Sequence, residues 1–331
     1  VADIPPLRYL AAADVSAAIP PLDERLELAE AALRGLGATA EMPAKIGVHP
    51  RQPGSLAHAM PALLRGEAAD GSTDLVGLKW IAGFPQNPSL GLPAYHALTI
   101  LNDPRTGVPL AIMDAGPITA QRTAAVSGVV IRLFAPHPDG AEPRVAILGA
   151  GVQARSHLAV VGRLLPGASL ALTDVDRARA EALAAEAPGV VGIGRATATP
   201  NAREAVAGAD VVVSAVSFGP DHQALDPAWL GPRTLFVAVD YDMQAPASLA
   251  REALFIVDER DQFLATRAAG GFFEGYPDPD ATLGEALRGG VARADGRVLV
   301  SHLGTGLTDV VFAWAILRRA EQLGLGVVLG R

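Results

Sequence analysis

Almost every cation in this chain is an arginine. Of its 27 basic residues only Lys45 and Lys79 are lysines. An ammonium that persists in such a background suits a position that wants a compact point charge rather than a planar guanidinium fork. The alternative is that both are ordinary surface residues. Ahead of a glycine-rich stretch at 149–154 lies the densest polar set of the sequence: Lys45, Lys79, Asn87 and Arg122. Beside such a stretch, groups of this type are candidates to hold and activate a substrate.

The glycine-rich stretch, GAGVQA, fits the dinucleotide fingerprint G-x-G-x-x-G/A at Gly149, Gly151 and Ala154, with Val152 and Gln153 between them. A chain with 35 glycines also produces accidental matches, and a second one falls at Gly35, Gly37 and Ala40. Context separates the two. The first follows the apolar run RVAIL and opens a helical pattern, which points free N–H groups and the positive end of a helix at a pyrophosphate. The second follows a helical pattern. After the first match the next strand-like run, LALT, ends at Asp174, close to where a carboxylate accepts the ribose hydroxyls and repels a 2′-phosphate. NAD(H) is therefore expected rather than NADP(H); the competing role for Asp174 is to cap the next helix. Ser214 and Ser217, after DVVV, are expected on the nicotinamide side.

The elements that must carry these residues follow from periodicity. Residues 22–36 space their leucines and alanines as an amphipathic helix, and YHALTILND-PRTG-VPLAIMD reads as an antiparallel hairpin. Thr119 is expected to cap a buried helix, TAQRTAAVSGVVIRLFA. A Pro-rich joint (135–143) precedes alternating strand and helix signals to about residue 265, the pattern of a parallel sheet. Residues 266–280, rich in Gly and Pro, read as a surface loop, and 308–323 as a last amphipathic helix capped by Thr308. The fold class is α/β: a Rossmann dinucleotide-binding domain plus an α+β domain.

Composition excludes several functions. With 331 residues, half of them hydrophobic, the chain has enough apolar material for two domains. Acidic residues outnumber basic ones 35 to 27 and no basic run occurs, so a nucleic-acid partner is not expected. No apolar stretch approaches the ~20 residues that span a bilayer, so the reading is a soluble, cytoplasmic protein without a membrane partner. Without cysteine there is no thiol nucleophile, disulfide or iron–sulfur cluster, and the seven histidines show no metal spacing.

Five segments carry a resemblance: LKW (78–80), LPAYHALTILNDPRTGVPLAIMDAGPITAQRTAAVS (92–127), VAILGAGVQARSH (145–157), AVAGADVVVSAVS (205–217) and LGTGLTDVVFAWA (303–315). Together they resemble the ornithine cyclodeaminase/mu-crystallin family. The resemblance implies a substrate-binding and dimerisation domain (1–120 with 304–331), an NAD-binding domain (121–303) and a homodimer or larger assembly. It makes Arg122 of RTAA the clamp for a substrate carboxylate, Thr123 a cofactor contact, and Lys79 the active-site lysine. Lys45 stands where the family has an arginine, as a second carboxylate contact. Asp242, in VAVDYDMQAP, falls in register with the family's catalytic acid, and Asp240 lies two residues earlier; either is a candidate. The family's P-G-K after that acid is replaced here by Gln244, Ala245 and Pro246. His302 lies just before the last motif and Asp309 matches its family aspartate; both are candidates to reach the site, with helix capping also open for Asp309.

The implied chemistry is NAD(P)-dependent oxidation or reduction at the C–N bond of a small amino acid or its imine, of the dehydrogenase or imine-reductase type. Ammonia-eliminating cyclisation of ornithine or lysine is the alternative, and a mu-crystallin-like ligand-binding protein a third.

Overall fold

The computed structural model describes residues 4–136, 141–293 and 295–331; part of the Pro-rich joint lies outside them. The chain divides into two compact units, Val1–Arg122 with Gly304–Arg331, and Thr123–Leu303.

In the first unit, β1 (Leu7–Leu10) is followed by two helices, α1 (Ala12–Ala18) and α2 (Leu22–Gly35). The strands β2 (Ala40–Glu41), β3 (Ile46–Val48), β4 (Leu56–Leu64), β5 (Leu75–Gly83), β6 (Tyr95–Asn102) and β7 (Pro109–Asp114) follow. With β16 (Val327–Leu329) they make one mixed sheet in the order β16-β1-β7-β6-β5-β4-β2, β3 also pairing with β4. Gly35 ends α2 and Ala40 opens a strand, so the second glycine match does not lie between a strand and a helix. Strand alternation sorts the side chains by face. Met60, Lys79, Thr99 and Met113 lie in one row across β4 to β7, all buried. The next row out, on the other face, exposes Trp80 and Leu98.

The inner face is covered by α10 (Gly306–Leu323). Its approach depends on glycine: a Cβ on Gly306 would lie 2.6 Å from the Met60 carbonyl oxygen. The helix begins earlier than its sequence indicates, because the Thr305 hydroxyl, not that of Thr308, takes the cap position and accepts from the Thr308 N–H. The helix that links the units, α3 (Gly116–Phe134), also starts before its expected cap. Asp114, at the end of β7, accepts the Gly116 N–H at 2.8 Å, and Thr119 lies inside the first turn with its hydroxyl bonded back to the Ala115 carbonyl.

The second unit is a parallel sheet, β10 (Ile193–Ala198), β9 (Ala168–Thr173), β8 (Arg144–Leu148), β11 (Val211–Ser214), β12 (Leu235–Ala238), β15 (Val298–Ser301), β13 (Leu254–Val257) and β14 (Ala281–Thr282), in that spatial order. Its central strands are apolar throughout, as strands covered on both faces are. The helices are α4 (Val152–Leu164), α5 (Arg177–Glu186), α6 (Ala202–Val206), α7 (Ala247–Glu252), α8 (Arg260–Ala269) and α9 (Leu283–Leu287). Strand order reverses between β8 and β11, the place where Rossmann sheets take their ligand at the carboxyl ends of the strands.

Residues 266–280 are only partly the expected surface loop: 270–280 are irregular and mostly exposed. Residues 266–269 belong to α8, and Phe273 and Tyr276 are buried against Phe263 and Phe255 in the core. No helix among the described residues is long and apolar enough to cross a membrane.

Candidate active site

The glycine loop leaves β8 with Gly149 at φ +94°, where a Cβ would meet the Ala215 carbonyl oxygen at 2.5 Å. Only glycine fits there. Gly151 is different: a Cβ on it would meet nothing within 4 Å, and it caps α4 with no side chain satisfying the first-turn N–H groups. An open cradle in front of unpartnered helix N–H groups is what a pyrophosphate requires. Val152 is exposed, Ala154 is buried, and the Gln153 side-chain oxygen is buried with no partner among the described residues. Asp174 does not cap α5; Asp176 does. Instead Asp174 accepts the Ala150 N–H at 2.7 Å and the Asp176 N–H at 2.9 Å, bracing the loop while each oxygen keeps a lone pair for a hydroxyl. These residues fit a dinucleotide.

Further along the carboxyl ends of the strands, Ser214 is fully buried and donates to Asp240 at 2.5 Å, joined by the Val216 N–H at 3.0 Å. The other Asp240 oxygen is buried without a partner among the described residues. Burial pushes this carboxyl up to about 6 against the pull of its two donors, with Asp242 nearby adding to the rise. Asp242 has both oxygens engaged, one by His222 Nδ1 at 3.0 Å and one by the Phe273 N–H at 2.7 Å. Ser217 is exposed. Thr123, at the start of this unit, is buried, and Ser127 nearby links His157 and His302 at 2.8 and 2.9 Å. Burial pushes His157 down to about 4, so its Nδ1–H donates to the Gln153 carbonyl and its Nε2 accepts from Ser127.

In the first unit Lys79 and Arg122 meet on one carboxylate. Lys79 Nζ lies 3.2 Å from one oxygen of Asp309 and 3.4 Å from the other, and Arg122 Nε donates to the first at 3.1 Å. All three are buried. Residues 230 positions apart in the chain are joined in this way. Burial pushes the Lys79 ammonium down to about 8, Asp309 opposing that and Arg122 and Lys45 adding to it. Because Nε serves Asp309, the two terminal nitrogens of Arg122 are left without a hydrogen bond among the described residues. They lie against Gly304, where a Cβ would stand 2.7–2.8 Å from both and where φ is +80°. Thr99, in the row beside Lys79, has a buried hydroxyl with no partner among the described residues. Lys45, half-buried just before β3, is close enough for its charge to act on both Lys79 and His58. Asn87 is not drawn into this cluster; its amide is bonded to the Pro93 carbonyl.

The sequence model of the ornithine cyclodeaminase/mu-crystallin family matches residues 10–323. The chain belongs to this family. It is 34% identical to the nodulation efficiency protein NfeD of Rhizobium meliloti over 98% of this chain and 99% of that one. It is 29% identical to an alanine dehydrogenase of Archaeoglobus fulgidus, covering 92% of each. Among solved structures, an archaeal alanine dehydrogenase dimer with bound NAD superposes with a TM-score of 0.81 at 26% identity, over 98% of this chain and 99% of that one. The ornithine cyclodeaminase/mu-crystallin family contains NAD-dependent oxidoreductases and cyclodeaminases. Two features of this member escape sequence reasoning: His222 on Asp242, and the closure of the Lys79–Arg122 pair by Asp309. His222 has no motif to mark it. Asp309 shows only as a family position.

Proposed function

We propose that this chain is an NAD-dependent oxidoreductase acting on the C–N bond of a small amino acid or its imine. The observation that carries the reading is the Arg122 guanidinium, buried, fixed through Nε to Asp309, and with both terminal nitrogens free of other partners among the described residues. That fork matches a carboxylate bidentately. Lys79 adds charge to the same anion, and Lys45 extends the positive field. The loop at Gly149, Gly151, Val152, Gln153 and Ala154 holds the dinucleotide with Thr123 and Ser217 as further contacts, Ser214 instead being turned to Asp240, and Asp174 selects NAD over NADP by repelling a 2′-phosphate. A bound nicotinamide supplies or accepts hydride. The proton that accompanies it is managed at the Asp240–Asp242 turn.

The reading favours a dehydrogenase or imine reductase over a cyclodeaminase because no residue marks a subsite for the terminal amine of ornithine or lysine, and Gln244, Ala245 and Pro246 depart from the family's P-G-K. The exposed apolar row of Ile46, Trp80 and Leu98 supports a homodimer.

The test is an absorbance assay of amino acids with NAD⁺, and of keto acids with ammonia or methylamine and NADH. Ornithine and lysine incubations are analysed alongside. A change in nicotinamide absorbance is expected. Proline or pipecolate formed at constant absorbance would establish the cyclodeaminase instead, and silence in every arm would leave a binding protein. In the Arg122→Ala variant kcat/KM is expected to fall at least about a hundredfold while NADH affinity stays within about twofold.

A further inference from the structure

Asp242 lies in the family's acid position, yet its carboxylate is 1% exposed and both its oxygens are taken. Buried to this degree, it offers a reacting atom far less surface than the imidazole bonded to it. What it does is hold an imidazole. His222 presents Nδ1 to Asp242 at 3.0 Å, and a quarter of its side chain is exposed. A buried carboxylate on one ring nitrogen fixes the tautomer and leaves the other nitrogen, Nε2, for proton transfer.

The backbone is built around this pair. Gln223, Tyr241 and Phe273 are the non-glycine residues with positive φ among those described, at 55°, 61° and 60°. All three converge on Asp242: the Gln223 N–H binds its carbonyl at 2.8 Å, the Phe273 N–H binds its carboxylate, and Tyr241 precedes it. Left-handed backbone at bulky residues is strained, and three such residues around one carboxylate mark a place where position is enforced. The ring is also held from the side, with Phe272 at 5.2 Å between centroids, and Phe272 in turn packs on Tyr241 and Phe218.

The pair stands at the correct end of the sheet. His222 lies in the segment that leaves β11, and Asp242 in the segment that leaves β12. The first of these segments abuts the nucleotide loop, because the Ala215 carbonyl is what forces Gly149 to be glycine. The charged and titratable neighbours in this part of the unit include Asp221, Asp240, Tyr241, Asp242, Glu274 and Tyr276.

We propose that His222 is the catalytic acid–base of this protein, transferring a proton to and from the reacting nitrogen through Nε2, and that Asp242 is its positioning residue. The assignment rests on the oxidoreductase reading above. In the reductive direction the imine carbon gains hydride from the reduced nicotinamide, and the imine nitrogen gains the Nε2 proton of the imidazolium. The C=N bond becomes CH–NH, the nicotinamide is left oxidised and His222 is left neutral with its Nδ1–H still given to Asp242. Oxidation runs the same atoms in reverse.

Three variants of the full chain test this. His222→Gln is expected to lower kcat by a hundredfold or more, the scale of a lost general acid, with the NADH Kd, read by fluorescence, within about twofold of wild type. In His222→Ala, added imidazole is expected to restore part of the lost rate, which a structural role would not allow. In ¹⁵N-histidine spectra of the wild type, His222 is expected as the Nδ1–H tautomer when neutral, and Asp242→Asn is expected to admit the Nε2–H form. Turnover by wild type with His222→Gln within threefold of it would overturn the assignment and leave the oxidoreductase reading standing, as would an Nε2–H tautomer in wild type. A wild type that turns over no amino acid or imine would overturn both.

Discussion

Each unit of this protein buries an aspartate, and the two are treated in opposite ways. Asp309 in the first unit stands between two cations, Lys79 and Arg122. Asp240 in the second has only neutral donors, the Ser214 hydroxyl and the Val216 N–H. A buried acid opposite cations neutralises charge that would otherwise be stranded, whereas one held by neutral donors must itself bear the cost of leaving water. The first arrangement prepares a fixed positive site with one cation fork still available. The second prepares a carboxyl whose proton is mobile near neutral pH.

The sharpest way to break this contrast is Asp309→Ala. It leaves Lys79 and Arg122 buried side by side with no counter-charge, and removal of one partner from a buried pair costs about 3–5 kcal/mol. A loss of that size is expected in urea unfolding. Replacing Lys79 by methionine in the same chain is expected to recover part of it, since one stranded charge is then gone. A loss under about 1 kcal/mol would show that the cluster is hydrated and that its charges are not in fact buried.

The corresponding change at Asp240 has a different signature. Held at about 6 in the folded chain, against 3.8 for the ordinary group, this carboxyl keeps its proton more tightly when folded. Its contribution to stability is therefore intact below about pH 4 and is lost as pH rises through 6, a total of about 3 kcal/mol. Asp240→Asn keeps an acceptor for Ser214 and Val216 and removes the ionisation. The variant is expected to gain on wild type as pH rises from 4.5 to 7.5 in thermal melts. A difference that stays flat with pH would mean that Asp240 does not change charge in that window.

The two regions also differ in how far the sequence reveals them. The nucleotide loop is contiguous, and the strand before it and the helix after it are periodic enough to separate it from the accidental match at Gly35, Gly37 and Ala40. The cation cluster is assembled from residues 79, 122 and 309, which only the pairing register and the seating of α10 bring together. Lys79 and Arg122 are legible through the family resemblance; the bond of both to Asp309 is not. Two helix starts are misplaced for a common reason: the residue whose side chain accepts a first-turn N–H, Asp114 or Thr305, lies ahead of a threonine that is just as plausible by residue type. Residues 266–280 are partly misread because their glycines and prolines signal a loop, while Phe273 and Tyr276 are held inside by the rings of Phe263 and Phe255. The pair His222–Asp242 spans 20 residues and is closed by strained backbone, for which no propensity exists.

The smallest expected effect belongs to a third aspartate, Asp174, which is neither fully buried nor paired with a cation. Its oxygens accept two backbone N–H groups, Ala150 in the glycine loop and Asp176 at the next helix. Water can replace the carboxylate at the exposed Asp176 N–H but less readily at the buried Ala150 N–H, so Asp174→Ala is expected to cost about 1–2 kcal/mol in stability. The coenzyme preference is where the change should register. Without the carboxylate the ribose hydroxyls lose an acceptor and a 2′-phosphate no longer meets like charge. The ratio of NAD to NADP affinity is therefore expected to fall by about tenfold, the equivalent of one charged hydrogen bond, measured by fluorescence titration with both reduced coenzymes. A wild type that already binds NADPH more tightly would show that Asp174 serves only to brace the loop, and selection would then have to come from residues beyond the strand end.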